Sequence, residues 1–368
     1  MEIPRAYEGE GVVLRPYQPG DVPRVVAGCG DPLTQRYMPA MPRPYDADVA
    51  REWVAATAAG EWETGRYNWA VADPVTDVLW GGAGLRIGND RRGQAEVGYW
   101  VCPDVRGRGV ATAATRAMVA LAFAYGLHRV ELITMWENTA SQRVALAAGF
   151  RREGERRGLL PGHDGRRHDA LAWYRLVDDE PAPPRVLPDL PGGALTDGVV
   201  TLRPLAPGDV DVLHVLRCQP DVVARSVPPR TPERADTARR CARAGAYWLA
   251  GERADLLILA AAGGEVVGEL GLYVQEPGSG QAMLGIALLP RWRGRGFAAR
   301  ATALLARWAF GCGIARLVAG AAPDNIASQR TLERVGFRRE GYAHARLPGP
   351  DGGRVDDVGY ALLPDWLG

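Results

Sequence analysis

The sequence predicts an α+β protein of two tandem domains, each a mixed and mostly antiparallel sheet flanked by helices. Three observations carry this prediction. The chain has 368 residues, more than a single hydrophobic core ordinarily organises. Its halves repeat at a nearly constant offset, with Gly109 and Gly296, Asn138 and Asn325, and Gly149 and Gly336 each 187 positions apart. Both copies also run through the same order of short, mostly alternating apolar strands and few helices.

The elements follow in order. VVLRPYQPGDV from Val12 answers VTLRPLAPGDV from Val200 at 188 positions, so one residue was gained or lost early. The early strand leads into a helical region rich in Arg, Ala and Trp, ADVAREWVAATAAGEW in one copy and PERADTARRCARAGAYWLA in the other. Two strands follow, NWAVAD and DVLWGGAGLRI against LLILAAAG and EVVGELGLYV, and a third, AEVGYWVC or AMLGIALL, runs into a glycine turn. VATAATRAMVALAFAYG has no internal Gly or Pro and stops at Gly126, as a helix with a glycine cap does. A strand (RVELITMW), a short helix closed by Gly149 and two further strands (FRREGERR, HDALAWYRL) complete the copy. Between the copies, the prolines and glycines of Val177 to Thr196 deny that stretch helix or ladder bonding. The expected division is residues 1–177, a linker at 178–196, and 197–368.

Composition excludes several classes. With 44 basic and 43 acidic residues, the chain carries no field to hold a polyanion or a membrane surface. All 44 basic residues are arginine, which a GC-rich coding bias explains; an amine-modifying enzyme sparing itself is a sharper alternative. The five cysteines are scattered and never form C-x-x-C, which fits reduced thiols in a cytosol and no metal site. The N-terminus is polar and no apolar stretch approaches a membrane span, so a soluble cytoplasmic protein is expected.

The glycine turn is the chemical signal. VRGRGVAT and WRGRGFAA each place backbone N–H groups at the positive end of a helix, a site suited to phosphate. A lysine-free chain cannot supply a P-loop, and Thr112 and Ala299 stand where a dinucleotide fingerprint needs its last glycine. What fits is R-x-x-G-x-A, at Arg106, Gly109 and Ala111 and again at Arg293, Gly296 and Ala298. With ENTASQRVALAAGFRREG and DNIASQRTLERVGFRREG about thirty residues on, both halves closely resemble the GNAT superfamily of acyl-CoA-dependent N-acetyltransferases, nearest the ribosomal-protein N-terminal acetyltransferase branch.

The resemblance implies a sheet that splays beside AEVGYWV, leaving backbone groups near Trp100 and Val101 for the pantetheine arm of acetyl-CoA. The pyrophosphate would sit on Arg106, Gly107, Arg108 and Gly109 and on the helix start at Val110, Ala111 and Thr112. Asn138 would bond the pantetheine, with Ser141 close to the sulfur. The second copy would offer Leu288 on its strand, Arg293, Gly294, Arg295 and Gly296 in the turn, Phe297, Ala298 and Ala299 beyond it, and Asn325 and Ser328.

An amine attacks a thioester only as the free base. A lysine-like amine with pKa near 10.4 is about three units from neutral at pH 7, roughly 4 to 5 kcal/mol, whereas an α-amino group near 8 needs about one unit. A carboxylate facing the splay would serve as base. Alternation puts Glu96, Gly98 and Trp100 on one face, and relatives often use a glutamate there, so Glu96 is the candidate base; the alternative is a strand glutamate that only orders a loop or substrate. The second copy has Met283 instead. Where many superfamily members carry a tyrosine, seven residues after the asparagine, this chain has Ala145 and Leu332, which leaves Ser141 and Ser328 as proton donors or as helix caps. His163 and His168, and in the second copy His344, Asp356 and Asp357, are weaker candidates. The expected function is transfer of an acetyl group from acetyl-CoA to a small-molecule or peptide amine, with the first copy as catalyst. A non-catalytic acyl-CoA-binding scaffold, and catalysis by the second copy, are the alternatives, and whether the copies pack as a pseudo-dimer stays open.

Overall fold

The computed structural model describes residues 3–57, 65–88, 92–162, 165–180, 185–349 and 352–367. The chain divides into two compact units, Met1–Pro183 and Pro184–Gly368. In the first, β1 (Tyr7–Gly9) and β2 (Val12–Arg15) lead to helices α1 (Val22–Cys29), α2 (Pro32–Tyr37) and α3 (Ala47–Glu52). Strands β3 (Arg66–Ala72), β4 (Leu79–Ile87) and β5 (Gln94–Val101) follow, then α4 (Val110–Ala124), β6 (Arg129–Met135), α5 (Thr139–Ala147), β7 (Arg151–Pro161) and β8 (Arg167–Leu176). The sequence does not announce helices α1 and α2. Both are short, and Pro23, Gly30 and Pro32 interrupt the apolar period that would announce them.

The eight strands form one sheet in the order β1-β2-β3-β4-β5-β6-β8-β7. Its neighbours are antiparallel except β5 and β6. A parallel pair needs a crossover, and α4 supplies it, packing on β4 and β5 with Met118 and Ala122 fully buried. Leu14, Trp69, Leu85 and Leu132 are buried on the strands.

The second unit repeats this plan with β9 (Leu195–Thr196), β10 (Val200–Pro204), α6 (Val210–Arg217), α7 (Pro220–Ala224), α8 (Arg234–Leu249), β11 (Arg253–Ala260), β12 (Val266–Glu276) and β13 (Gln281–Leu288). It closes with α9 (Phe297–Gly311), β14 (Arg316–Ala321), α10 (Ile326–Val335), β15 (Arg338–Pro348) and β16 (Arg354–Leu362). Its sheet order mirrors the first, and β13 with β14 is again the parallel pair. The stretch read as a linker contributes to this unit: Leu187 and Leu190 are buried in its core, and β9 pairs with β10. Among the described residues, no helix is long and apolar enough to cross a membrane.

Candidate active site

The ladder between β5 and β6 runs only from Gln94–Val97 against Arg129–Leu132. Past Val97 the strands part, so Gly98 to Val101 and Ile133 to Met135 face each other across a gap, with backbone groups left to find other partners. A cavity of about 990 Å³ opens there. Glu96, Gly98, Tyr99, Trp100 and Val101 line it from β5, Asn138 and Ser141 from the start of α5. Arg106, Gly107, Gly109, Val110, Ala111 and Thr112 close one end, while Arg108 stays exposed outside the lining.

The turn before α4 is built by two left-handed glycines, Gly107 at φ 77° and Gly109 at φ 82°. A Cβ at either would meet no atom within 4 Å, so the backbone conformation, not crowding, calls for glycine. Gly109 caps α4, whose first amides lack intrahelical acceptors and point into the cavity end. Arg106 does not lie free over them: its guanidinium donates to Asp31 Oδ2 at 2.5 Å and to Thr34 Oγ1 at 2.9 Å, anchoring the turn to α2. Asp31 is partly desolvated there, yet the Arg106 pair and the Thr34 amide bring its carboxyl below the ordinary range.

Glu96 faces the cavity and is exposed, and among the described residues it makes no hydrogen bond or ion pair. Across the sheet its register partner is Arg86 of β4. On the opposite face of β5, the Tyr99 hydroxyl lies 2.8 Å from Ser141 Oγ. Burial pushes the Tyr99 phenol up to about 12, with the Ser141 bond pulling the other way. The residue capping α5 is Asn138, whose Oδ1 accepts from the Ser141 amide at 3.1 Å, so the serine hydroxyl is released for other work. The alternation that puts Glu96 on one face of β5 sends Tyr99 to the other, toward α5, and no local sequence signal announces its pairing with Ser141, 42 residues away. His163 lies outside the described residues, and His168 is exposed on β8.

Trp100 shows why this wall is rich in glycine. A Cβ on Gly28 would come within 2.1 Å of its ring, and one on Gly82 within 2.4 Å of its Nε1 and 2.2 Å of the Tyr17 hydroxyl. The second unit replaces this apolar wall with charge. At the positions matching Trp100, Gly82 and Asn68 it carries Ala287, Glu269 and Asp255. Arg240 of α8 bonds Asp255 at 2.7 Å and lies 3.0 Å from Glu269, while Arg217 reaches Glu269 at 2.9 Å and Arg253 reaches Asp255 at 2.7 Å. The Asp255 side chain is 1% exposed. Burial raises the Glu269 pKa against the pull of Arg240.

The second cradle keeps the same backbone, with Gly294 at φ 72° and Gly296 at φ 81°, and Asn325 again caps its helix by accepting from the Ser328 amide at 3.2 Å. Its side chains differ. Arg293 donates twice to the Leu288 carbonyl, at 3.0 and 2.8 Å, and also pairs with Asp221. Trp292 packs edge-on against Phe297 at 5.0 Å, under the Arg295 guanidinium. Ala298 follows Phe297 on α9, and Ala299 borders a separate cavity of about 370 Å³ beside Arg300. Met283 stands where Glu96 does and Ile286 where Tyr99 does. Asp356 is engaged by the Tyr342 hydroxyl at 2.6 Å and Asp357 by Arg346 at 2.8 Å, while His344 is largely exposed.

A sheet with one short parallel pair that splays, a helix capped by a left-handed glycine turn at the gap, and an Asn-capped helix across from it, all written twice, define a GNAT-type unit. The acetyltransferase (GNAT) domain family matches residues 12–151 and 200–338, and the chain belongs to it. The Bacillus subtilis (strain 168) protein YdaF, named as a candidate ribosomal N-acetyltransferase, is 37% identical over 89 residues, which are 24% of this chain and 47% of YdaF. The chain thus spans about half the length of the curated relatives it matches. Mycobacterium smegmatis RimJ in complex with CoA-disulfide is similar at 26% identity and a TM-score of 0.41, over 47% of this chain and 87% of that one. RimL, a ribosomal L7/L12 alpha-N-protein acetyltransferase in complex with coenzyme A, is 22% identical at a TM-score of 0.43, over 47% and 98%.

Proposed function

We propose that the protein is an acyl-CoA-dependent N-acetyltransferase that moves an acetyl group from acetyl-CoA to a primary amine, and that the first unit is the catalyst. The observation that carries this reading is the 990 Å³ cavity, which joins the glycine cradle to Glu96 through the splay. The residues present fit acetyl-CoA. Free amides and the α4 terminus suit a pyrophosphate, and the unpaired edge of β5 suits the amides of a pantetheine arm. From Glu96 to Val101 is five strand residues, roughly 17 Å, a span for an extended arm. Bound there, acetyl-CoA supplies the activated acyl carbon. Glu96 would take the proton of the incoming ammonium, and Ser141, held beside Tyr99, would donate a hydrogen bond to the departing sulfur, which a thiol pKa near 8.5 lets leave as a thiolate.

The second unit supports the assignment by contrast. It has Met283 for the base and Ile286 for the tyrosine, its Leu288 carbonyl is taken by Arg293, and an ion-pair network lies where the first unit has its apolar wall. We read it as a non-catalytic repeat. The test is thiol release from acetyl-CoA with an amine panel, read by mass spectrometry. Glu96→Gln is expected to lower turnover roughly 100-fold or more while coenzyme A still binds. Undiminished turnover in that variant overturns Glu96 as base.

A further inference from the structure

We infer that the acceptor is an amine carrying an anionic group close to its nitrogen, and that Arg86 is the residue that selects it. The inference rests on the functional reading above and names its substrate class.

The end of the cavity away from the cradle is where an acceptor must enter. Three adjacent strands meet there with Arg66, Arg86 and Glu96 as register partners in one row, and all three line the cavity. Register partners carry their side chains on the same face of the sheet, about 5 Å apart at the backbone. Among the described lining residues Glu96 is the sole carboxylate, set against the arginines 66, 86, 106 and 143. Arg106 is already paired with Asp31, far from this end. Arg86 is different: it is exposed to the cavity and, among the described residues, has neither a hydrogen bond nor an ion pair.

This arrangement discriminates by charge. The acceptor arrives as an ammonium ion and must come beside Glu96, which puts it next to a guanidinium as well. A polycation is repelled there and a lone ammonium gains little. An acceptor with a carboxylate near its amine places each charge against its opposite, nitrogen to Glu96 and carboxylate to Arg86. A guanidinium suits that second contact because its N–H fork matches a carboxylate in two-point geometry. The other copy sharpens the point. It keeps Arg253 in the Arg66 position but has Tyr273 and Met283 for Arg86 and Glu96, so both members of the pair are absent together.

The experiment compares free amino acids with their amides, peptides with an acidic or a neutral second residue, and spermidine, using wild-type protein, acetyl-CoA and thiol release. Acids or acidic peptides are expected to show the lower KM, and which of the two leads identifies the source of the carboxylate. In Arg86→Gln the preference for acid over amide should shrink roughly 10- to 100-fold, the scale of one charged hydrogen-bonded contact. Arg86 is exposed, so folding should tolerate the change, and Arg86→Lys should restore part of the preference. Amides or spermidine used as well as the acids, or a preference unchanged in Arg86→Gln, overturns the inference and leaves acetyl transfer standing. No thiol release with any acceptor overturns both.

Discussion

Tyr99 offers the sharpest test of how the site handles the leaving group. Its hydroxyl is 2.8 Å from Ser141 Oγ, and burial lifts its pKa to about 12. A thiol has a reference pKa near 8.5, so passing the tyrosine proton outright to a thiolate would be uphill by about 3.5 units, close to 5 kcal/mol. On the proposed mechanism Tyr99 is therefore a positioning residue. A serine hydroxyl is a weaker acid still, so neither group gives up its proton: with Tyr99 donating to Ser141 Oγ, the serine hydroxyl is turned toward the sulfur as a hydrogen-bond donor to the departing thiolate. Removing such a neutral hydrogen bond costs about 1 kcal/mol, so Tyr99→Phe should lower kcat roughly fivefold, far short of the loss of a general acid. Ser141→Ala should cost more, and the double variant should be no slower than Ser141→Ala alone, because the tyrosine acts through the serine. The assay is steady-state thiol release, with the pH profile of kcat recorded for each variant. Independent, multiplying losses, or a hundredfold fall from Tyr99→Phe alone, refute the reasoning.

Two further outcomes concern stability. In the second unit, Asp255→Ala would remove the buried carboxylate that the half-buried Arg240 and Arg253 share and leave Arg240 with Glu269 alone, a loss of about 2 to 3 kcal/mol, read as a lower urea midpoint; a change under about 1 kcal/mol would mean that water already enters the network. In the first unit, burial raises the Cys29 thiol from 9.0 to about 12 and Tyr99 from 10.0 to about 12, so the folded state holds these protons more tightly than the unfolded chain does. That stability is fully present below about pH 9 and is lost as pH rises toward 12. For Cys29 alone it is of the order of 4 kcal/mol, so Cys29→Ala should flatten the alkaline limb of a midpoint-versus-pH curve, and an unchanged curve would contradict the assignment.

Much of this protein was determined by its sequence alone. The repeat, the α+β class, the glycine turns and the Asn-capped helices depend on local rules: offset, alternation, and residues that only a left-handed turn or a helix start demands. Those rules act over a few positions and survive in both copies. The left-handed glycine turns, and the side of its strand on which Glu96 lies, were therefore legible. The difference between the copies was only partly so. Met283 opposite Glu96 could be read from one strand, whereas the ion-pair network could not, because Asp255, Glu269, Arg217 and Arg240 come from two strands and two helices and only folding brings their charges together. The same holds for Tyr99 and Ser141, 42 residues apart and joined across the splay, and for Arg106, which the sequence set over the phosphate site and the fold ties to Asp31. Burial and long-range pairing have no sequence period. Where chemistry depended on them, the tertiary structure decided.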